Sequence, residues 1–387
     1  MITWRSGTVV SHGRSWPGAL ELTVRLVADP PAAGGADPPA ADVRALAYTG
    51  LVGSPAPGSR VLLNIGALRR GLGTGGYALV VAPADELPAD PPPGPGHLVK
   101  ARYTPLQTLV LGVDEQESPH HDVLRDADDL AGLPVVVADL HSALPAVLAG
   151  ARHAAEVAGR RPPRAVYVMT DGGALPAAFS RTVAGLREAR WLDASVTVGQ
   201  AFGGDLEAVT VHTGLLAARH VAGAELVVVA QGPGNLGTGT RWGFSGVAAG
   251  EAVNAAATLG GRAVASLRVS GADARDRHRG VSHHSLTAYG RVALAPADVP
   301  VPVPDDDVAA AWPTGLAERV REQAAALAGV PARHRLVDVP ADADLLAALG
   351  RSPVGLSTMG RGLDADPASF VAAAVAGVHA ATIPASA

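Results

Sequence analysis

From about residue 98 onward the chain alternates two kinds of segment, and this constrains its fold more than any other feature. Five continuous apolar runs stand out: LPVVVAD (133–139), RAVYVMTD (164–171), ASVTVGQ (194–200), AELVVVAQ (224–231) and AVASLRVS (263–270). A strand with one wet face alternates apolar and polar residues, so an unbroken apolar run predicts a strand buried on both faces. Between the runs lie Ala- and Leu-rich helical segments: SALPAVLAGARHAAEVAG, LPAAFSRTVAGLREA, DLEAVTVHTGLLAARHVAG and GVAAGEAVNAAATLG. Strands alternating with helices predict right-handed βαβ units and an α/β fold with a doubly wound, mainly parallel sheet.

The first 86 residues read differently. Short β-type runs, GTVVSH, LELTVRLVA, VRALAYTGLVG, SRVLLNIGA and GYALVVAP, are separated by Gly and Pro with almost no helical periodicity. This predicts a small β-barrel-like domain over 1–86. Within it DPPAAGGADPPAAD (29–42) is low in complexity and expected to be a loop. The proline-rich stretch over 87–97 reads as a stiff linker, and 98–387 as the α/β domain. Beyond VPVPDDD (301–307), residues 300–387 either extend the sheet or form a subdomain. A chain of 387 residues exceeds the roughly 250–300 at which single cores stop growing, so two domains are expected.

Composition narrows the function classes. The net charge is -5, there is no basic tract and aromatic residues make up 4%, so nucleic acid is not an expected partner. No run approaches 18 apolar residues and the N-terminus lacks the apolar core of a signal peptide, so no membrane association and a cytoplasmic location are expected. The absence of cysteine removes disulfides, thiolate metal sites and cysteine nucleophiles together. Homo-oligomerisation is left open.

In an open parallel sheet, ligands bind beyond the carboxyl ends of the strands. Most of the chain's unusual polar residues fall there: Asp139 and His141 after the first run, Asp171 after the second, Gln200, Gly203 and Gly204 after the third, QGPGNLGTGT after the fourth, and SGADARDRHRGVSHHS after the fifth. Ser142, Asp205 and Thr240 are expected to be helix caps.

Residues Gly232, Gly234 and Gly237 have the spacing of a dinucleotide fingerprint. Such a motif belongs to the first strand of its unit and needs an acidic residue about 20 positions on; this one follows the fourth run and Ala252 stands at that place. NAD is therefore not expected. A Gly-rich loop feeding a helix can still aim backbone N–H groups at an anion, which makes Gly232, Gly234, Asn235, Gly237, Thr238 and Gly239 ligand-binding candidates. A tight turn is the plainer alternative.

The segment ARDRHRGVSHHSLTAYGR (274–291) places His278, His283 and His284 beside Arg275, Arg277 and Arg279. Guanidinium binds carboxylate or phosphate bidentately and imidazole moves protons near neutral pH. The reading preferred here has Asp171, His283 and His278 as catalytic groups, with Arg279 and Lys100, the only lysine, holding a small anion. Lys100 follows the linker and is expected near a domain boundary, where pockets form. A second reading is a divalent metal held by Asp139, His141 and His284, although the arginines would repel a cation. A third is a solvated loop in which Asp273 and Asp276 pair with the arginines.

There is no G-x-S-x-G elbow, P-loop or H-E-x-x-H motif, which discounts common hydrolase, kinase and zincin chemistry. The segments HLVKARYTPLQ (97–107), VMTDGGALP (168–176), VGQAFGGDLEAVTVHTGL (198–215), QGPGNLGTGTRWGFSG (231–246) and HRGVSHHSLTA (278–288) resemble a bacterial, often actinobacterial, family defined as domain of unknown function 3866. The resemblance spans nearly the whole chain and implies no activity. The expectation is an enzyme acting on a phosphorylated or carboxylated metabolite at the carboxyl edge of the sheet. The alternatives are a metal-dependent hydrolase and a non-enzymatic ligand sensor.

Overall fold

A computed structural model describes residues 2–27, 41–73, 75–329 and 333–384. The loop expected at 29–42 lies outside the described residues except for its last two positions. The chain forms two compact units, Met1–Pro95 with Ala101–Thr108, and Gly96–Lys100 with Leu109–Ala387.

The first unit is a closed five-stranded barrel. Its strands are β1 (Trp4–Trp16), β2 (Ala19–Leu26), β3 (Asp42–Tyr48), β4 (Arg60–Asn64) and β5 (Ala78–Pro83), in the order β1-β2-β3-β5-β4 with β4 closing on β1. Alternate residues Leu20, Leu22 and Val24 of β2 point inward to meet Val9, Ala45, Val61, Leu63 and Val80. Among the described residues every barrel strand has a neighbour on each side, β3 meeting β5 at Ala45 and Leu46. At Gly7 of β1 a Cβ would collide with the Val24 side chain and the Arg25 carbonyl, so only glycine permits that approach.

The second unit holds an eight-stranded sheet: β6 (Pro134–Val137), β7 (Ala165–Thr170), β8 (Ala194–Thr197), β9 (Leu206–Glu207), β10 (Leu226–Gln231), β11 (Arg262–Ala265), β12 (Asp298–Pro304) and β13 (Arg335–Ala341). The order is β9-β8-β7-β10-β6-β11-β12-β13 and every pairing is parallel. All of β6 and β10 is buried, as unbroken apolar runs require. Each fully buried Val or Leu contributes about 1.5–3 kcal/mol.

Helices α1 (Leu144–Val157), α2 (Arg181–Glu188), α3 (Val211–His220), α4 (Ala248–Thr258), α5 (His283–Thr287), α6 (Leu316–Ala325), α7 (Ala343–Gly350) and α8 (Pro367–Thr382) cover the sheet. The β6-α1-β7 connection runs toward one edge and β10-α4-β11 toward the other. Right-handed crossovers in opposite directions put their helices on opposite faces. Accordingly α1 packs on α7 and α8, and α4 on α3. At the neighbouring strands β10 and β6 the chain thus leaves to opposite sides, which opens a crevice at their carboxyl ends.

The segment beyond residue 300 extends the sheet rather than forming a subdomain. Although DVPVPVP carries three prolines, β12 is an interior strand: it registers with β11 only at Asp298 and with β13 along its whole length. Alternate residues address opposite neighbours, so Pro300 and Pro302 can face the side where pairing has stopped. The strand-like VGLST run contributes only a short hairpin, Ser357–Thr358 with Arg361–Gly362. The expected caps also differ. Ser142 donates to Thr358, Asp205 accepts from Ser195 and Arg187, and Thr240 closes a turn at Gly243. Ser180, Thr210, Ser282 and Asp342 cap helices instead. Among the described residues no helix is long and apolar enough to cross a membrane.

The α1–α8 contact is close because it is built on small residues. A Cβ on Gly150 would strike the Ala374 carbonyl, and one on Gly377 would strike the Val147 carbonyl. Gly377→Ala should therefore cost about 1–3 kcal/mol, the usual penalty of overpacking. Urea unfolding measures it, and a variant as stable as the parent would contradict this packing.

Candidate functional site

The crevice at the ends of β10 and β6 gathers polar groups that the apolar strands carry to their tips. Asp139, just past β6, is 3% exposed, and its Oδ2 has no hydrogen-bond partner among the described residues. Gln231 ends β10; its Nε2 donates to the Asp139 carbonyl (3.1 Å), and its Oε1 is likewise buried without a partner. Arg268, past β11, brings Nη1 to 3.9 Å from Asp139 Oδ2 and donates to His284 Nδ1 at 3.0 Å. His284 Nδ1 is 3.8 Å from Asp139 Oδ2. Burial pushes the Asp139 carboxyl upward, with Arg268 opposing. Burial pushes Arg268 downward.

Local structure explains how three imidazoles come to share this place. Ser282 caps α5: its Oγ accepts from the His284 N–H (3.2 Å) and pairs with His278 Nδ1 (2.8 Å). Ring centroids lie 4.4 Å apart for His283 and His284, 4.9 Å for His278 and His284, and 5.0 Å for His278 and His283. Phe244 stacks flat on His284 at 3.7 Å. Behind α5 the helix widens into a π turn, Ala288–Val292, from which the Tyr289 hydroxyl donates to the Val137 carbonyl at the end of β6 (2.8 Å). Single π turns cluster at functional sites because they re-aim side chains.

The field of the arginines acts on these rings. Burial, then Arg268 and Arg275, push His278 down to about 3. Burial and Arg268 push His284 down to about 2, and His283 falls through burial and then Arg277. Arg268 can only donate, so His284 Nδ1 is the unprotonated nitrogen of a neutral ring. A second charge lattice steadies the neighbouring loop: Arg275 and Arg361 bind Asp273 (2.9 and 3.3 Å), and Arg361 binds Asp366 (3.1 Å).

Cavities adjoin the cluster on both sides. The one behind Asp139 and Arg268, lined also by Ser142, Ser270 and Arg361, holds only about 30 Å³. That suits a water and no metabolite. In front of His283 opens a groove of about 720 Å³ bordered by Arg241, Trp242, Thr287, Arg291 and Leu327. Its size is that of small-molecule sites.

The structure thus brings together His278, His283, His284 and Asp139, and places the other candidates elsewhere. His141 is spent: Nδ1 pairs with the Tyr167 hydroxyl (3.0 Å) and Nε2 with Ser180 (2.7 Å), and burial lowers it to about 4. With both nitrogens occupied it is not a metal ligand in this arrangement. Asp171 is exposed and accepts from the Gln200 N–H (2.9 Å), tying two rim turns together. Arg279 is exposed, and its N–H closes the turn at Asp276. The guanidinium inside the cluster is that of Arg268 instead.

Lys100 is not an anion-holding group but the centre of an internal pair. It is fully buried, donates to the Ala201 and Ala208 carbonyls (2.8 and 3.0 Å), and lies 3.4 Å from Glu207. Gly203 donates its N–H to the Glu207 carboxylate and Gly204 donates to the Thr197 hydroxyl (3.1 Å), so the backbone donors expected to bind a ligand serve the protein's own side chains. Burial lowers Lys100 and raises Glu207.

The glycine loop is also engaged with itself. Gly232 presses on Ala174, where a Cβ would collide, and Gly234 and Gly239 occupy left-handed backbone. Asn235 accepts from Ser245 (2.8 Å), the Thr238 N–H bonds the Gly243 carbonyl (2.7 Å), and Gly237 bridges to Phe244. Helix α4 begins only at Ala248. The loop's task in this geometry is to set Phe244 against His284 and Trp242 beside the groove. Arg268, Arg241, Trp242 and Phe244 escaped sequence reasoning, and Gln231 was placed on the rim without a role. The one usable signal was a charged residue, Arg268, inside the apolar run 263–270.

Removing one member of the Lys100–Glu207 pair should leave a buried charge without compensation. Lys100→Met is expected to cost about 3–5 kcal/mol, read by chemical denaturation, and an unchanged midpoint would contradict the pairing. A family model described as "Protein of unknown function (DUF3866)" matches residues 44–377. No curated protein and no solved structure matches the chain. With the matched stretch covering most of the chain, from the third barrel strand to the last helix, the protein belongs to the DUF3866 family.

Proposed function

We propose that the protein is an enzyme acting on a small anionic metabolite, phosphorylated or carboxylated, bound in the groove beside His283. One observation carries this reading: Asp139 Oδ2, Gln231 Oε1 and His283 Nε2 are buried without hydrogen-bond partners among the described residues, on a chain of contacts that runs from the switch crevice to the groove. A buried polar atom without a partner costs about 1–3 kcal/mol. Three together, joined to an arginine and two further imidazoles, are what a fold tolerates where chemistry needs reactive groups.

The roles follow from position. Arg241 and Arg291 border the groove and supply the positive charge that attracts an anion. His283, on the groove wall, is neutral at pH 7 and able to accept a proton. His284 and Arg268 hold the Asp139 side of the cluster, and Trp242 offers an apolar face. Asp171, whose carboxylate accepts from the Gln200 N–H, has no part in this reading.

A calorimetric screen of phosphorylated and carboxylated metabolites tests it. Saturable binding is expected, and the double variant Arg241→Gln/Arg291→Gln should weaken it at least tenfold, because a hydrogen bond to a charged group is worth about 1.5–3 kcal/mol. With a turned-over substrate in hand, His283→Gln should lower kcat by about 10²–10⁴-fold. Binding indifferent to both arginines would contradict the groove. Binding without turnover of any ligand would make the protein a sensor.

A further inference from the structure

We propose that His278, His283 and His284 together bind one divalent transition-metal ion, zinc by the chemistry of the ligands, with the Asp139 carboxylate as the outer partner of His284. The site rests on the reading above only for what would complete the metal's coordination from the groove; with His283 on the ion, the proton-accepting role given to it there would pass to a water at that open position.

One ring nitrogen from each histidine lies within 4.8 Å of the other two. Three nitrogens on a tetrahedral zinc, at about 2.0–2.1 Å from the ion, stand about 3.4 Å apart. The rings need to close by roughly an ångström, a side-chain adjustment. Their second nitrogens are already assigned in a way that leaves the right atoms over. His278 uses Nδ1 on Ser282 and His284 uses Nδ1 on the Arg268 side, while His283 carries a buried Nε2 with no partner among the described residues. With no cysteine in the chain, a thiolate set is excluded and imidazole nitrogens are donors that suit zinc.

Asp139 supplies the independent evidence. A histidine on zinc almost always donates its other N–H to a carboxylate or carbonyl. Asp139 Oδ2 is buried, has no hydrogen-bond partner among the described residues and lies 3.8 Å from His284 Nδ1, just beyond hydrogen-bond reach. Metal binding at His284 Nε2 moves the ring proton to Nδ1, which then donates to Asp139. Arg268 Nη1, now bonded to that nitrogen, turns to the same carboxylate 3.9 Å away. Both rearrangements pair the orphaned oxygen. Asp139 and Asp273 offset part of the positive field that Arg268 and Arg275 impose on a cation. Three protein nitrogens leave the fourth position open, which distinguishes catalytic from structural zinc.

The full chain, stripped with chelator and dialysed, is titrated with zinc and with cobalt(II). The expected results are one retained equivalent by elemental analysis and a visible cobalt spectrum of tetrahedral intensity that saturates at one equivalent. His278→Gln and His283→Gln should abolish that spectrum. Asp139→Asn should weaken affinity about 10–100-fold. His212→Gln, an exposed histidine on α3, should change nothing. If a variant fails to fold by circular dichroism, stoichiometry and spectrum of the parent chain decide. A parent chain that retains no metal and gives no cobalt spectrum, or a spectrum that survives His283→Gln, would overturn the site. Metal bound without any anion in the groove would instead sink the enzymatic reading and leave this one standing.

Discussion

A single buried carboxylate organises the carboxyl rim of this protein. Asp139 sits at the point where adjacent strands send the chain to opposite faces, and it faces Arg268 and His284 at distances just beyond hydrogen bonding. Taking a carboxylate out of water costs several kcal/mol unless a partner compensates it. The arginine is therefore drawn inward from β11, the α5 histidines are drawn toward the arginine, and Phe244 is pressed onto His284. Each of these groups comes from a different loop, and the parallel sheet is what makes them neighbours.

The rest of the molecule keeps that rim in place. The Tyr289 hydroxyl, reaching from the π turn to the ends of β6 and β11, fixes the depth of α5 against the sheet. The Arg275–Asp273–Arg361–Asp366 lattice pins the loop before it. At the opposite edge, Lys100 and Glu207 perform a similar service with both charges hidden. The chain thus uses buried charge in two ways: one pair closed on itself, the other left partly open toward a groove.

The fold was legible in the sequence where periodicity decides it. Five unbroken apolar runs became five central parallel strands, and the alternating runs near the start became the barrel. It was illegible where a tertiary neighbour decides. Whether the segment from 300 extends the sheet or forms a subdomain stayed open, because nothing local tells that the proline-rich β12 stops pairing on one side after Asp298. The site divides the same way. Clustered histidines beyond a strand end marked the right loop, but Lys100 looked available because its partner Glu207 lies 107 positions away (207 − 100) and only folding brings them together. His141 looked like a ligand because Tyr167 and Ser180 occupy its nitrogens from other segments. Arg268 was hidden inside a run that reads as strand.

The most direct measurement is a double-mutant cycle on Asp139 and Arg268, with unfolding free energies taken in urea at pH 7. If the carboxylate and guanidinium depend on one another, Arg268→Gln alone should cost about 3–5 kcal/mol, and adding Asp139→Asn should recover part of it, with a coupling of about 0.5–3 kcal/mol. Strictly additive losses would mean that Asp139 does not organise the rim and that the cluster has some other origin.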